Sequence, residues 1–111
     1  MDISSKISGN TLICYIRGEL DHHTANEIRE YIDYNLENNP VKNLIIDMSE
    51  LSFMDSSGIG VLIGRYKKVT ALGGKTAVVN ENKQISKVLE VSGIYDIIFS
   101  FPSIQQALNE L

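Results

Sequence analysis

Leu12, Cys14 and Ile16 alternate with Ile13 and Tyr15, the two-residue period of a strand. Ile3 to Ile7 precedes this run across Gly9-Asn10, a dipeptide suited to a two-residue turn, so the pattern predicts an N-terminal β-hairpin. From Ala25 the period changes. Ala25, Ile28, Ile32 and Leu36 form a helical stripe, Thr24-Ala-Asn-Glu27 has the form of a capping box, and Asn38-Asn39-Pro40 ends the helix.

Leu44 to Met48 is a nearly continuous apolar run, as expected of an interior strand covered on one or both faces. After a loop from Ser49 to Asp55, Ile59, Leu62, Ile63, Tyr66 and Val69 recur at helical spacing, and Gly73-Gly74 stops that helix before a strand at Lys75 to Val79. Ile85, Val88 and Leu89 predict another helix ending at Gly93, and Ile97-Ile98-Phe99 a last short strand. Pro102-Ser103 opens a final helix with Ile104, Ala107, Leu108 and Leu111 on one face, and Ser103 to Gln106 repeats the capping-box spacing. Strands and helices alternate after the hairpin, which predicts an α/β domain with a mixed sheet of about five strands and about four helices. The 111 residues suit one domain spanning positions 1–111, with a single core and no second lobe.

Composition narrows the function. Hydrophobic residues at 43% and charged residues at 22% are ordinary globular values. The net charge of -4 and the absence of any basic run longer than Lys67-Lys68 argue against nucleic acid as a partner. Met1 to Ser8 lacks the cationic start and apolar stretch of a secretion signal, and the apolar segment Ile59 to Ile63 is broken by glycine, so a cytoplasmic protein without a membrane partner is expected. The single Cys14 has no disulfide partner and no Cys or His at ligand spacing, which reads as a core thiol in a reducing compartment. No metal or cofactor is expected.

The segment Asp55-Ser-Ser-Gly-Ile-Gly60 breaks sequence-level economy. Gly58, Gly60 and Gly64 sit in or at the start of a helix, where each interior glycine costs about 0.8–1 kcal/mol relative to alanine. Helical spacing puts Ser57, Gly60, Gly64, Lys68 and Ala71 away from most of the apolar stripe, with Val61 at the edge. This strip reads either as a flat docking face or as a close approach to another element of the same domain; spacing leaves both open. One of Asp55, Ser56 and Ser57 is expected to cap the helix, and a hydroxyl there is within reach of a kinase. A phosphate would add roughly -1.5 to -2 charges, which the helix N-terminus tolerates, so its effect would fall on a docked partner.

Four other readings compete, and each meets an obstacle in the sequence. A serine hydrolase would need His22 or His23 as base, but Ser56 lacks the Gly-x-Ser-x-Gly setting. The two histidines are expected to point apart at a helix start, without a third metal ligand. A phosphate cradle fails because neither nucleotide-binding glycine pattern is present. Asp47 and Glu50 read as solvated acids rather than an acid-base pair.

Gly18-Glu-Leu-Asp21, Leu51-Ser-Phe-Met-Asp55-Ser-Ser-Gly-Ile-Gly60 and Val91-Ser-Gly93 together resemble the STAS domain of bacterial anti-sigma factor antagonists, over essentially the whole chain. Glu19 to Ala25, Phe53 to Gly60 and Gly64 to Lys67 are most similar to the family's sporulation branch, which controls sigma factor F; a general stress-response antagonist is the alternative. The resemblance implies a non-enzymatic partner switch. The unphosphorylated protein binds an anti-sigma factor that is a serine kinase and frees the sigma factor. The kinase then phosphorylates Ser56 and is released, and a serine phosphatase resets the cycle. Ser57 is the lesser acceptor. Asp21, Asp55, Ser56, Ser57, Gly60, Val61 and Gly64 are the implied partner-binding residues, with Asp21 on the kinase-facing surface.

Overall fold

The computed structural model describes residues 2–111 and begins with the hairpin that the alternation predicts. β1 (Ile3–Ser8) and β2 (Thr11–Leu20) pair antiparallel as far as Ser8 and Thr11. Between them Gly9 adopts a φ of 60°, and no non-glycine residue among those described has positive φ, the arrangement of a type II′ turn. The chain then alternates through α1 (Ala25–Glu37), β3 (Asn43–Met54), α2 (Ser56–Ala71), β4 (Thr76–Val79), α3 (Lys83–Ser92), a 3₁₀ turn at Ile94–Asp96, β5 (Phe99–Phe101) and α4 (Ile104–Glu110). The strands lie in the order β1-β2-β3-β4-β5, with β2 to β5 parallel. The expected mixed α/β sheet therefore forms.

Alternation along the strands divides the core between the two faces. Leu12, Cys14, Ile16, Leu44, Ile46, Met48 and Val78 pack with Ile28 and Ile32 of α1, Val61, Leu62 and Val69 of α2, and Ile85 and Leu89 of α3. Ile13, Ile45, Ala77 and Val79 project to the other face and meet Ala107 of α4. Coverage on both faces explains why β3 reads as a continuous apolar run. Cys14 has no exposed surface, and burial pushes its thiol pKa up to about 12.

Four boundaries differ from the sequence reading. The stretch from Ser49 is not a loop: β3 continues to Met54 because it pairs with the second half of β2, a long-range contact that local pattern does not reveal. The capping box at Thr24 does not form. Thr24 Oγ1 instead donates to the Glu19 carbonyl oxygen (2.9 Å) and accepts from the Asp21 N–H (3.0 Å). The last strand starts at Phe99 rather than Ile97, since the N–H groups of Ile97 and Ile98 are taken by the Ile94 carbonyl. β4 starts at Thr76 rather than Lys75. The cap at Ser103 does form, its hydroxyl accepting from the Gln106 N–H, and Asn82 caps α3.

Gly58 and Gly60 differ in surroundings. A Cβ built on Gly58 would lie 2.6 Å from Met54 Cγ, 2.8 Å from Leu20 Cγ and 3.0 Å from the Leu20 carbonyl oxygen, whereas one on Gly60 meets nothing within 4 Å. Gly60→Ala is therefore expected to stabilise the fold by up to about 1 kcal/mol through helix propensity. Gly58→Ala should lose about 1–2 kcal/mol once overpacking is set against the same gain. Thermal denaturation checks both signs, and a Gly58→Ala protein that melts above wild type contradicts the packing. For Cys14, burial predicts that a thiol reagent at pH 8 labels the native protein only at the rate of opening, and the denatured chain at once; equal rates would contradict it.

Candidate functional site

The last residues paired between the parallel strands β2 and β3 are Leu20 and Met54. The next residues, Asp21 and Asp55, therefore leave the sheet side by side, and the Asp55 N–H reaches back to the Leu20 carbonyl at 3.3 Å. Both loops open at the carboxyl ends of parallel strands, where α/β sheets place their binding sites.

Asp55 is the N-cap of α2. Its backbone is extended, with φ -120° and ψ -169°, and its Oδ1 accepts from the Ser57 N–H at 2.8 Å. A carboxylate at this position satisfies an otherwise free helical donor and complements the positive end of the helix. Ser56 is the first helical residue and is exposed, while Ser57 is half-buried. Of the three residues that could have capped, Asp55 does so, leaving the Ser56 hydroxyl outside the cap. His22 Nδ1 lies 3.9 Å from the free Oδ2 of Asp55. The rings of His22 and His23, expected to point apart, have centroids 3.9 Å apart at 39°. They sit in a tight turn, where consecutive side chains do not alternate as on a strand.

Asp21 closes that turn. Its Oδ1 accepts from the N–H groups of His23 (2.9 Å) and Thr24 (3.1 Å). The residue is only 8% exposed. Burial pushes its carboxyl pKa up, but the backbone donors of His23 and Thr24 outweigh this and hold it below the ordinary carboxylate range. A folded-state pKa lowered in this way contributes stability at neutral pH that is lost as pH falls through that value. Asp47 and Glu50 are engaged separately, Asp47 Oδ1 by the N–H and hydroxyl of Ser49 and Glu50 by Arg17 at 3.0 Å.

The glycine strip resolves into two kinds of position. Gly58 is packed against Leu20 and Met54, whereas a Cβ on Gly60 or Gly64 meets nothing within 4 Å. The latter two therefore face open space. Val61, expected at the edge of the strip, is 3% exposed and packs with the core. It lies four residues before Arg65, on the buried stripe Val61, Leu62, Arg65, Val69. Only a shallow depression of about 400 Å³, lined by His22, Asn26, Arg29, Ser57 and Gly60, opens over it.

A second depression of about 350 Å³ flanks Ser56 on the α3 side, lined by Ile59, Lys87, Val88, Val91 and Ser92. The sequence reading had not joined α3 to the site. Its signal was Val91, an apolar residue off the Ile85–Leu89 stripe and 79% exposed.

Arg65, also unanticipated, ties α2 to α1. Only 8% exposed, it brings Nε within 2.9 Å of Asp33 Oδ1. The contact is an ion pair without hydrogen-bond alignment, and Nη1 is buried with no hydrogen-bond partner among the described residues. Burial lowers the Arg65 pKa and Asp33 opposes the fall. Lys68 supports the pair, 3.6 Å from Asp33 and 2.6 Å from Glu37. A buried pair of this kind fixes geometry more than it adds stability.

The STAS domain family model matches residues 2–107. An anti-sigma F factor antagonist of Paenibacillus polymyxa is 37% identical over 100 residues, 90% of this chain and 86% of that protein. An anti-sigma-B factor antagonist of Bacillus subtilis (strain 168) is 30% identical, covering 88% of each chain. The solved anti-sigma factor antagonist SpoIIAA in its unphosphorylated form superposes with a TM-score of 0.83 at 29% identity, over 97% of this chain and 94% of that one. Among the described residues no helix is long and apolar enough to cross a membrane. On the sheet order, the paired loops at the start of α2 and these likenesses, the chain belongs to the STAS domain family, among the anti-sigma factor antagonists.

Proposed function

We propose that the unphosphorylated chain binds an anti-sigma factor that is itself a serine kinase, frees the sigma factor, and lets go when the kinase phosphorylates Ser56. One observation carries this reading: Asp55 holds the helix cap, so the exposed Ser56 hydroxyl is free to react while α2 stays intact. In the reaction Ser56 Oγ attacks the γ-phosphorus of the kinase's ATP and loses its proton to a base on the kinase. The new O–P bond replaces the bond to the β-phosphate, and ADP leaves. A serine phosphatase reverses the state by hydrolysing the ester with water. The chain supplies an acceptor and a surface rather than a catalytic group.

Release follows from electrostatics. The helix N-terminus favours a nearby negative charge by about 0.3–1 kcal/mol, so α2 should survive the modification. The partner, however, would have to bury a dianion beside Asp55, at a cost on the order of 3–4 kcal/mol. Each 1.4 kcal/mol is tenfold in affinity, so this is several hundredfold. Gly60 and Gly64, with open space where side chains would be, support close approach of the partner to the α2 backbone. Higher identity to the sigma F antagonist, 37% against 30% for the sigma-B one, supports control of a sporulation sigma factor.

Incubation with the cognate kinase and ATP, followed by mass spectrometry, should place one phosphate on Ser56. Modification elsewhere, or none, overturns the switch; model-ester hydrolysis abolished by Ser56→Ala would instead favour a hydrolase. Ser56→Ala should bind the kinase in a complex that ATP cannot dissolve, and Ser56→Asp should weaken binding at least tenfold. For the glycine strip, Gly60→Leu should melt within a few degrees of wild type yet bind the kinase at least tenfold more weakly in calorimetry. Unchanged affinity would remove the strip from the interface.

A further inference from the structure

Ser56 shares its α3-side depression with one cation, Lys87, set among the apolar side chains of Ile59, Val88 and Val91. Lys87 makes no ion pair among the described residues. Lys83 one turn back and Glu90 one turn on share a neighbouring depression with it on α3, while Asp55 and His22 pair at the start of α2 next to Ser56. An unpaired ammonium on a four-carbon stem, lining the same depression as an exposed hydroxyl, is matched in charge and reach to a phosphate placed on that hydroxyl.

We propose that Lys87 is the intramolecular receptor for the phosphate on Ser56, drawing it over Ile59, Val88 and Val91. This deepens the phosphorylation reading and rests on it. In the unmodified protein the depression presents the apolar side chains of Ile59, Val88 and Val91 beside an unpaired cation, suited to an apolar side chain of the partner. In the phosphorylated protein a hydrated ion pair lies across the same side chains. The partner then loses a docking pocket as well as meeting a charge, and the released state carries its own lock. Because Lys87 lies outside the α2 cap and the core, this requires no rearrangement of the fold.

The test uses the full chain with phosphoserine genetically encoded at position 56, so that it does not depend on any kinase. Phosphorus NMR titration gives the second pKa of the phosphate, near 6 for an unperturbed phosphoserine. Lys87→Gln should raise that pKa by about 0.5 relative to the unsubstituted chain, as expected for loss of a partly screened cation, and Lys83→Gln should not. His22, beside Asp55, is present in all three proteins, so its contribution cancels in the difference. The increment should shrink in high salt. Equal effects of the two lysine substitutions, or none, would overturn the assignment. A positive result in a protein that no anti-sigma kinase modifies would keep the Lys87 contact and defeat the functional reading, which separates the two.

Discussion

The register between β2 and β3 is the constraint on which the site depends. These strands run parallel, and β3 carries an extra residue at each of two irregularities, between Tyr15 and Arg17 and between Gly18 and Glu19. Gly18, with φ of 83°, supplies the backbone freedom that the second one needs. Only with both in place do Leu20 and Met54 end the ladder together. A slip of one residue would turn the side chains of a strand to the opposite face and would part Asp21 from Asp55. The hydrogen bond from the Ser52 hydroxyl to the Gly18 carbonyl, 2.9 Å long, clasps the strands where the register is most irregular.

From that junction two aspartates do different work. Asp21 turns inward and organises the β2–α1 loop through backbone N–H groups, while Asp55 caps α2. Their division of labour leaves the exposed Ser56 with no side-chain hydrogen bond among the described residues. A side chain without such a bond can change charge at little expense to the fold. The same logic applies to Lys87, which closes no ion pair of its own.

The glycines of α2 show how cost and purpose separate. At Gly58 the helix gives up propensity and regains it by close packing on Leu20 and Met54. At Gly60 and Gly64 nothing within the domain fills the space, so a deficit of about 1 kcal/mol each remains in the isolated protein. That residual deficit is what the proposed docking face would offset. Arg65 and Asp33 meanwhile link α2 to α1 beside the glycines.

Most of the fold was legible in the sequence because the period of apolar residues differs between strand and helix. β1, β2, β4, α1, α2 and α4 follow from that alone, as does the cap at Ser103. The site motif was legible too, because glycine and Asp-Ser-Ser at a helix start are locally anomalous. What the sequence could not determine were properties set by contacts between distant segments. The extension of β3 to Met54 depends on β2, the burial of Asp21 and Val61 on how α1 and α2 lie over the sheet, and the meeting of Ser56 with Lys87 on the placement of α3. Local pattern reports which face of an element is apolar; only the assembled sheet decides which neighbour that face meets and which polar group is left free to act.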